Sequence, residues 1–407
     1  MNDYNYKPTA IVIGAGAAGM MAAGQLLEQG AEVTLIEKMD RSGLKLGITG
    51  KGRCNVTNNC AVSDFFTNVP RNGRFLMSAV NNFTPSDTMA FFESLGIPLK
   101  TERGNRVFPQ SDRSLDVVHA LRRYSDKAKH IRARAEHLII EDGVCVGVST
   151  DKGDFFADRV IIATGGKSYP QTGSTGDGYK MAEEAGHTIV PPTPSLVPIE
   201  VKEKWCTSLM GLSLRNVSVQ LISGSKVICD DFGELLFTHF GLSGPTILSM
   251  SSHMAEGQEY TIRIGLKPAL DDKTLDARIL SDFAKYQNRD FANSLSDLLP
   301  QKLIPVIVKL SGIEGHTKVN SITQSQRRKL FELLRALDLT FKRFRPIEEA
   351  IITSGGVNVK EINPKTMESK LVSNLYFAGE VIDVDAYTGG FNLQIAFSTA
   401  VAAASIY

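Results

Sequence analysis

The chain has 407 residues, 43% hydrophobic and 22% charged, which is enough to bury a large core divided between two or three domains. A formal net charge of +1 supplies no global basic field that would by itself argue for nucleic acid. Five cysteines without a C-x-x-C pair and seven scattered histidines argue against a disulfide framework or a zinc site, and fit a reduced, cytoplasmic protein. The first apolar run is interrupted by glycines and lacks the basic flank and cleavage site of a signal peptide. No stretch reaches the length of a membrane span, so no membrane partner is expected.

"TAIVIGAGAAGMMAAGQLLEQGAEVTLIEK" (residues 9–38) is the clearest unit. Residues 10–13 read as a buried strand, 17–29 as a helix stopped by Gly30, and 32–36 as a second strand ending at Glu37. Residues 60–130 are mainly helical by spacing. From residue 133 short strands with Gly turns form a meander, and residues 159–163 lead into Thr164, Gly165 and Gly166. "VPPTPSLVP" breaks the chain near residues 190–198. Strand-like segments follow to about residue 266, residues 270–336 are rich in helix formers, and "LTFKRFRP" returns to strand. The last part reads strand, glycine loop, helix. No internal repeat is visible.

Gly14, Gly16 and Gly19 form G-x-G-x-x-G between strand and helix. The first allows a tight turn, the second lets the backbone approach a pyrophosphate, and the third lets helix and strand pack closely. The helix N-terminus, with Ala17 and Ala18, offers free N–H groups to phosphates. Glu37, 18 residues after Gly19, sits where a carboxylate accepts bonds from an adenosine ribose, with Lys38 beside it. That carboxylate would repel a 2′-phosphate, which argues against NADP at this position.

The order of the rest resembles the two-dinucleotide-binding-domain flavoproteins, in which a discontinuous domain holds FAD along its length. "RVIIATGG", with Ala163, Thr164 and Gly165, resembles their strand before the return to the sheet. "NLYFAGE" resembles their last strand, with Gly379 and then Glu380 or Asp383 at the ribityl chain. Gly389, Gly390, Phe391, Asn392 and Leu393 open a helix aimed at the flavin ring, whose positive end would favour negative charge on the reduced flavin.

A closer resemblance is carried by "GLKLGITGKGRCNVTN", "RVFPQSDRSLDVV", "STGDGYKMAEEAGH", "LLFTHFGLSGPTIL", "ITSGGVNV" and "LYFAGEVIDVDAYTGGFN". Together these are similar to the BaiN/YhiN-type flavoproteins, also called the aminoacetone-oxidase-type family, over essentially the full length. The resemblance implies an α/β fold: a Rossmann-like, discontinuous FAD-binding domain (residues 1–190 and 347–407), a small β-barrel-like domain (191–267, returning at 337–346) and a helical insert (268–336). It also implies that the loop after the second strand runs past the flavin. Lys45, Thr49, Gly50, Arg53, Asn55 and Thr57 are then candidates for the pyrophosphate, ribityl chain or ring edge, with Arg53 on a phosphate or near the flavin O2.

Cys54 and Cys60 have five residues between them, not the four of flavin disulfide reductases, and no second nucleotide fingerprint follows. Cys54 is therefore read as packing beside the cofactor. His239 in "FTHFGLSGP" is the candidate acid, against the simpler role of a turn histidine; Arg106, Phe108 and Ser111 are candidates for the substrate pocket. His187, after a glycine at a helix end, is read as a cap.

The expectation is an FAD-dependent oxidoreductase with non-covalent FAD. Transiently docked NAD(P)H reduces the flavin, and a hydride passes to an unsaturated acceptor. Relatives implied by the resemblance act on aminoacetone, on double bonds of bile-acid intermediates, or on uridine of ribosomal RNA. The partner is thus a small-molecule substrate or ribosomal RNA, the latter supported by the basic clusters "LRRYSDKAKHIRAR", "SQRRKL" and "FKRFRP". An FAD-binding scaffold or sensor without turnover is the remaining alternative. The oligomeric state is not legible.

Overall fold

Ala10, Ile11, Val12 and Ile13 are all buried, with no polar face. A strand apolar on both sides belongs in the middle of a parallel sheet covered on each face. The computed structural model, which describes residues 7–405, places it there. Strand β1 (Thr9–Ile13) pairs in parallel with β2 (Glu32–Glu37), which pairs with the edge strand β3 (Lys129–Arg132). On its other side β1 pairs with β4 (Arg159–Ile162), and β4 with β5 (Leu375–Phe377). The order is β5-β4-β1-β2-β3.

Helix α1 (Ala17–Glu28) crosses from β1 to β2 and buries Met20, Met21, Ala22, Ala23 and Leu26. A Cβ at Gly24 would overlap the Tyr124 ring of α2 (Ser114–Tyr124), so the small residue sets how closely these helices approach. Helix α3 (Phe391–Ala404) is buried almost all round. Its polar residues are satisfied internally: Gln394 Nε2 and Ser398 Oγ both donate to the Phe83 carbonyl, at 2.9 and 2.7 Å.

The proline-rich segment is not a break. Ile189–Ser195 forms a strand antiparallel to Ile352–Val357, with an irregularity between Val190 and Thr193. A two-stranded sheet is all edge, so residues without an N–H are tolerated there. Residues 191–195, assigned above to the barrel, therefore pair within the unit formed by residues 1–195 and 346–407.

The second unit spans residues 196–345. Ile199–Val201, Gly241–Ser243, Lys226–Phe237, Ser213–Ser223, Thr261–Gly265 and Leu337–Phe344 close into a six-stranded barrel in that order. Between its last two strands in sequence lie Asp272–Lys285, Ile304–Ser311 and Gln324–Arg335. Asp271 and Thr323 cap the first and last of these helices through their side chains. Leu275, Ile279, Ile307 and Leu334 share one core with the barrel residues Val219 and Ile262. Among the described residues no helix is long and apolar enough to cross a membrane, and no group of three or more His, Cys, Asp or Glu could hold a metal.

Candidate functional site

The three fingerprint glycines do three different jobs. Gly14 has φ +99°, and a Cβ there would lie 2.7 Å from the Ala163 carbonyl oxygen. A Cβ at Gly19 would overlap the Gly14 carbonyl. Both are absent side chains that protein atoms require. At Gly16, the N-cap of α1, a Cβ would meet nothing within 4 Å. The space before that residue is open, and no side chain caps the helix, so its first N–H groups face it unpaired by any intrahelical acceptor.

Glu37 is held rigidly at the end of β2. Its Oε2 accepts from the Ala15 N–H at 2.7 Å and its Oε1 from the Met39 N–H at 2.8 Å. Each carboxylate oxygen keeps a lone pair for a hydroxyl donor. Lys38 beside it is paired within the protein, with Nζ 2.6 Å from Asp177 Oδ2. Burial pushes the Asp177 carboxyl up, but Lys38 and Arg134 more than offset that and hold it below its ordinary value.

The return turn joins this cradle. Ala163 N donates to the Ile13 carbonyl at 2.9 Å, and Gly165 takes a left-handed φ of +73°. The Thr164 hydroxyl is buried without a hydrogen-bond partner. Such a group costs roughly 1–3 kcal/mol unless a ligand or water meets it.

Three further segments close round. Gly379 N donates to Thr399 Oγ1 at 2.9 Å, and a Cβ on Gly379 would come within 2.9 Å of the Ala18 methyl. Glu380 accepts from Lys45 Nζ at 2.7 Å, from Ser168 Oγ at 3.2 Å and from Thr353 N at 2.8 Å. Asp383 is buried and accepts from Asn72 Nδ2 at 3.0 Å, with Arg71 Nη1 3.4 Å away. Asp385, also buried, accepts from Ser195 Oγ at 2.9 Å. Burial holds its carboxyl above the usual range. Gly389 and Gly390 turn the chain into α3, and a Cβ at Gly390 would overlap the Thr57 carbonyl. Asn392 ties the preceding loop with Oδ1 accepting from Ala386 N at 2.9 Å and Nδ2 donating to Ala386 O at 2.7 Å. Phe391 packs edge-on against Phe65, and Leu393 is half-buried against the core. No side chain caps α3 either.

The loop 45–58 departs from expectation. Its side chains mostly hold protein. Arg53 donates through Nε to Asp112 Oδ1 at 2.8 Å, pairs through Nη2 with Glu102, and lies 4.2 Å over the Phe108 ring. Its carboxylate partners are held below their ordinary pKa by Arg53 and Lys100. Asn55 Oδ1 accepts from Val107 N at 3.1 Å, Thr57 Oγ1 donates to Gln394 Oε1 at 2.6 Å, and Thr49 Oγ1 donates to Lys45 O at 2.9 Å. The loop's peculiarity is its backbone: Gly50, Lys51, Gly52 and Cys54 all have positive φ, two of them at residues with side chains. A left-handed conformation costs an ordinary residue roughly 1–2 kcal/mol.

Cys54 is fully buried, and burial raises its thiol far above the ordinary value, which disfavours a thiolate. All five cysteines are free. His187 N donates to the Ala182 carbonyl at 2.9 Å, closing the helix end, while its buried ring bonds Ser369 Oγ at 2.8 Å. Nδ1 lies 3.3 Å from Glu361 without hydrogen-bond alignment.

The other candidates are dispersed. Arg106 is exposed on a hairpin and donates to the Arg103 carbonyl at 3.0 Å. Phe108 is buried under Arg53, and Ser111 lines a surface groove with Pro98, Asp116, His119 and Arg123. His239 is exposed in the turn between two barrel strands, its ring edge-on to Phe240. Sequence reading missed Arg71, Asn72, Ser168, Thr353 and Asp385. Thr353 and Asp385 lie within "ITSGGVNV" and "LYFAGEVIDVDAYTGGFN", whose spacing does not single them out; Arg71, Asn72 and Ser168 lie outside those motifs, and only their partners, more than 100 residues away, mark them.

These residues fit a dinucleotide: an open backbone cradle, two uncapped helix N-termini, an anchored acid and a buried hydroxyl lacking a partner. Residues 8–406 match the family model described as HI0933-like protein Rossmann domain. The chain is 31% identical to a 3-dehydro-bile acid delta(4,6)-reductase of Clostridium scindens, over 95% of this chain and 96% of that protein. It is also 31% identical to a ribosomal RNA dihydrouridine synthase of Haemophilus influenzae, over 97% of each. Against the protein of the same name from Escherichia coli it is 30% identical, over 97% of this chain and 96% of that one.

Proposed function

The chain belongs to the HI0933-like Rossmann family, a family of FAD-dependent oxidoreductases, and on that premise we propose that it uses NAD(P)H to reduce a carbon–carbon double bond conjugated to a carbonyl. Both relatives' names describe such a change, one on a steroid with a 3-oxo group and one on a uracil ring. The observation that carries the reading is the cradle at Gly16, open on the one side where the protein needs no glycine.

Bound FAD supplies a two-electron carrier that accepts and donates hydride at one ring position. The chain's own residues bind and orient it. The α1 N-terminus and the backbone of Gly14, Gly16, Ala17, Ala18 and Gly19 would take the pyrophosphate, and Glu37 the adenosine ribose. Thr164 and Gly165 border the same cradle. Glu380 and Asp383, both fixed by neighbouring donors, would hold the ribityl hydroxyls. The N-terminus of α3, from Gly390 to Leu393, would favour negative charge on the reduced flavin. Lys45 acts through Glu380, holding its carboxylate in place. Asn55 and Thr57 act through the backbone they fix. His239 is the proposed acid toward substrate, and Arg106 is proposed to bind it.

The test is a pair of timed half-reactions. NADH or NADPH should bleach the flavin band anaerobically, and a conjugated enone should restore it. His239→Asn should slow the restoration by a general-acid factor of roughly 10²–10⁴ and leave the bleaching nearly unchanged. Equal rates in both proteins would return His239 to a turn residue. Failure of every nicotinamide to bleach the flavin would remove NAD(P)H as donor.

A further inference from the structure

Two buried carboxyl groups sit two residues apart in the loop that joins β5 to α3. Asp383 is 5% exposed and Asp385 3%. A carboxylate out of water keeps its charge only with a partner close by. Among the described residues, the one cation paired with either is Arg71, with Nη1 3.4 Å from Asp383 Oδ1 and Nε 3.6 Å from Asp385 Oδ1. Its side chain is 43% exposed, so solvent screens part of that charge. Two acids thus share one weakened counter-charge.

The two acids are not equivalent. Asp383 works as a clamp: Asn72 Nδ2 donates to its carboxylate at 3.0 Å and to its carbonyl at 2.6 Å, and its own N–H donates to the Val357 carbonyl at 3.0 Å. Asp385 meets hydroxyls instead, Ser195 Oγ at 2.9 Å and Ser354 Oγ at 3.5 Å. A hydroxyl can accept as well as donate, so these partners suit a carboxylic acid as well as a carboxylate. Arg71 and Asp383 are the charged groups that act on Asp385. Burial, with the Asp383 charge adding to it, outweighs Ser195, Arg71 and Ser354 in setting its proton affinity. Holding the loop needs no ionisable group at 385. The backbone bridge between Arg71 and Asp385, and the Tyr387 N–H donating to the Asn68 carbonyl at 3.0 Å, already do so.

Both ends of this loop border the cradle. A Cβ on Gly379 would come within 2.9 Å of the Ala18 methyl, and one on Gly390 would overlap the Thr57 carbonyl. A charge that appears in the cradle therefore reaches Asp385 through protein interior, where it is weakly screened.

We propose that Asp385 is a charge-balancing proton acceptor for the cofactor: its carboxylate takes up one proton when the flavin is reduced and releases it when the flavin is reoxidised. This role rests on the reading of the cradle as an FAD site and deepens it. The hydride carries both electrons to the ring and leaves negative charge there, which raises the proton affinity of a nearby carboxyl. One proton passes from solvent to a carboxylate oxygen, and one O–H bond forms. When the hydride leaves for the acceptor, that bond breaks and the proton returns to solvent. The carboxyl is neither oxidised nor reduced. His239 keeps its separate proposed task, since its proton goes to the substrate.

The test is a redox titration of the FAD-loaded protein with dithionite and mediator dyes, repeated across pH. In a two-electron couple a tenfold change in equilibrium constant is about 30 mV, so each coupled proton contributes about 30 mV per pH unit. Asp385→Asn puts a neutral amide where the protonated carboxyl stands. The difference in midpoint potential between the two proteins should be constant at low pH. It should then grow by about 30 mV per pH unit, with wild type the lower, over the range where the carboxyl is ionised beside oxidised flavin and protonated beside reduced flavin. Ser195→Ala and Arg71→Gln each remove a group that favours the carboxylate. Both should move the onset of that range to higher pH without abolishing it, a shift that a merely structural role would not produce. Parallel curves for wild type and Asp385→Asn at every pH would overturn the proposal. If Asp385→Asn fails to retain FAD, the wild-type and Ser195→Ala curves decide, and coincident curves would overturn it. Dithionite needs no nicotinamide, so the outcome is independent of the proposed donor. A protein that takes up no FAD on reconstitution would overturn the cradle reading and this role together, whereas bound FAD with parallel curves overturns this role alone.

Discussion

The turn at residues 14–19 and the loop at residues 45–58 are both glycine-dense, and both border the same cradle, yet they work in opposite ways. In the turn, the glycines matter for what is absent: two make room for protein atoms and one faces open space. In the loop, polar side chains that resemble ligand contacts are spent on the protein itself, Arg53 on Glu102 and Asp112, Asn55 on Val107, Thr57 on Gln394. A backbone role is written in local sequence, because glycine spacing and helix phase suffice to specify it. A side-chain role depends on what comes near it, and those partners lie 49 to 337 residues away.

The contrast can be broken most severely at Gly19. Gly19→Val would drive a side chain into the Gly14 carbonyl. It should cost roughly 1–3 kcal/mol or more by overpacking and abolish flavin retention, seen as a lower urea midpoint and a colourless protein. Gly16→Val separates fold from ligand. A Cβ there meets no protein atom within 4 Å, so the urea midpoint should hold while FAD is lost. A destabilised Gly16→Val protein would mean that the open space is not the cofactor's.

A smaller effect is expected at Glu37. Glu37→Arg removes a ribose acceptor and frees the Ala15 and Met39 N–H groups. FAD affinity should fall by roughly ten- to a hundredfold, measured by titrating the apoprotein. Unchanged affinity would place the adenosine elsewhere.

The second unit carries a pH signature of its own. Hydrogen bonds from Arg343, Lys342 and Arg345 lower the Glu200 carboxyl from its ordinary value to about 2. A depressed carboxylate contributes stability that is complete above the unfolded value near 4.5 and is lost as pH falls toward about 2. Thermal midpoints should therefore fall across that window in wild type and fall less steeply in Glu200→Gln, which starts lower at neutral pH because it leaves three cations without their shared anion. Parallel curves would remove Glu200 as the cause.

The smallest effect is the most diagnostic of the loop. Arg53→Gln should leave FAD affinity within about twofold and change stability by no more than about 1 kcal/mol, since its ion pairs are largely solvated. A large loss of FAD would restore the phosphate role that the family resemblance implies.

Much of the first unit was readable in advance, since strands apolar on both faces and a helix between glycines leave few alternatives for β1, α1 and β2. The proline-rich strand at Ile189–Ser195 was not, because its edge position, which excuses the missing N–H groups, is a property of the sheet. The helices between residues 270 and 336 were legible as helices, but their shared core with the barrel was not, since Leu275 and Ile262 meet only in three dimensions. In the candidate site, Gly14, Gly16, Gly19 and Glu37 could be placed from spacing alone. Arg71 and Asn72 could not: "VPRNGRF" carries no motif, and only the buried carboxylates 311 to 314 residues later give them a purpose.

The cofactor itself decides whether this reading of the cradle stands. Acid precipitation of the purified protein, followed by chromatography of the released flavin against FAD and FMN standards, measures it directly. Near-stoichiometric FAD in the supernatant, with a colourless pellet, is the predicted result. FMN, or no flavin at all after reconstitution with excess FAD, would contradict the assignment of Gly16 and Glu37.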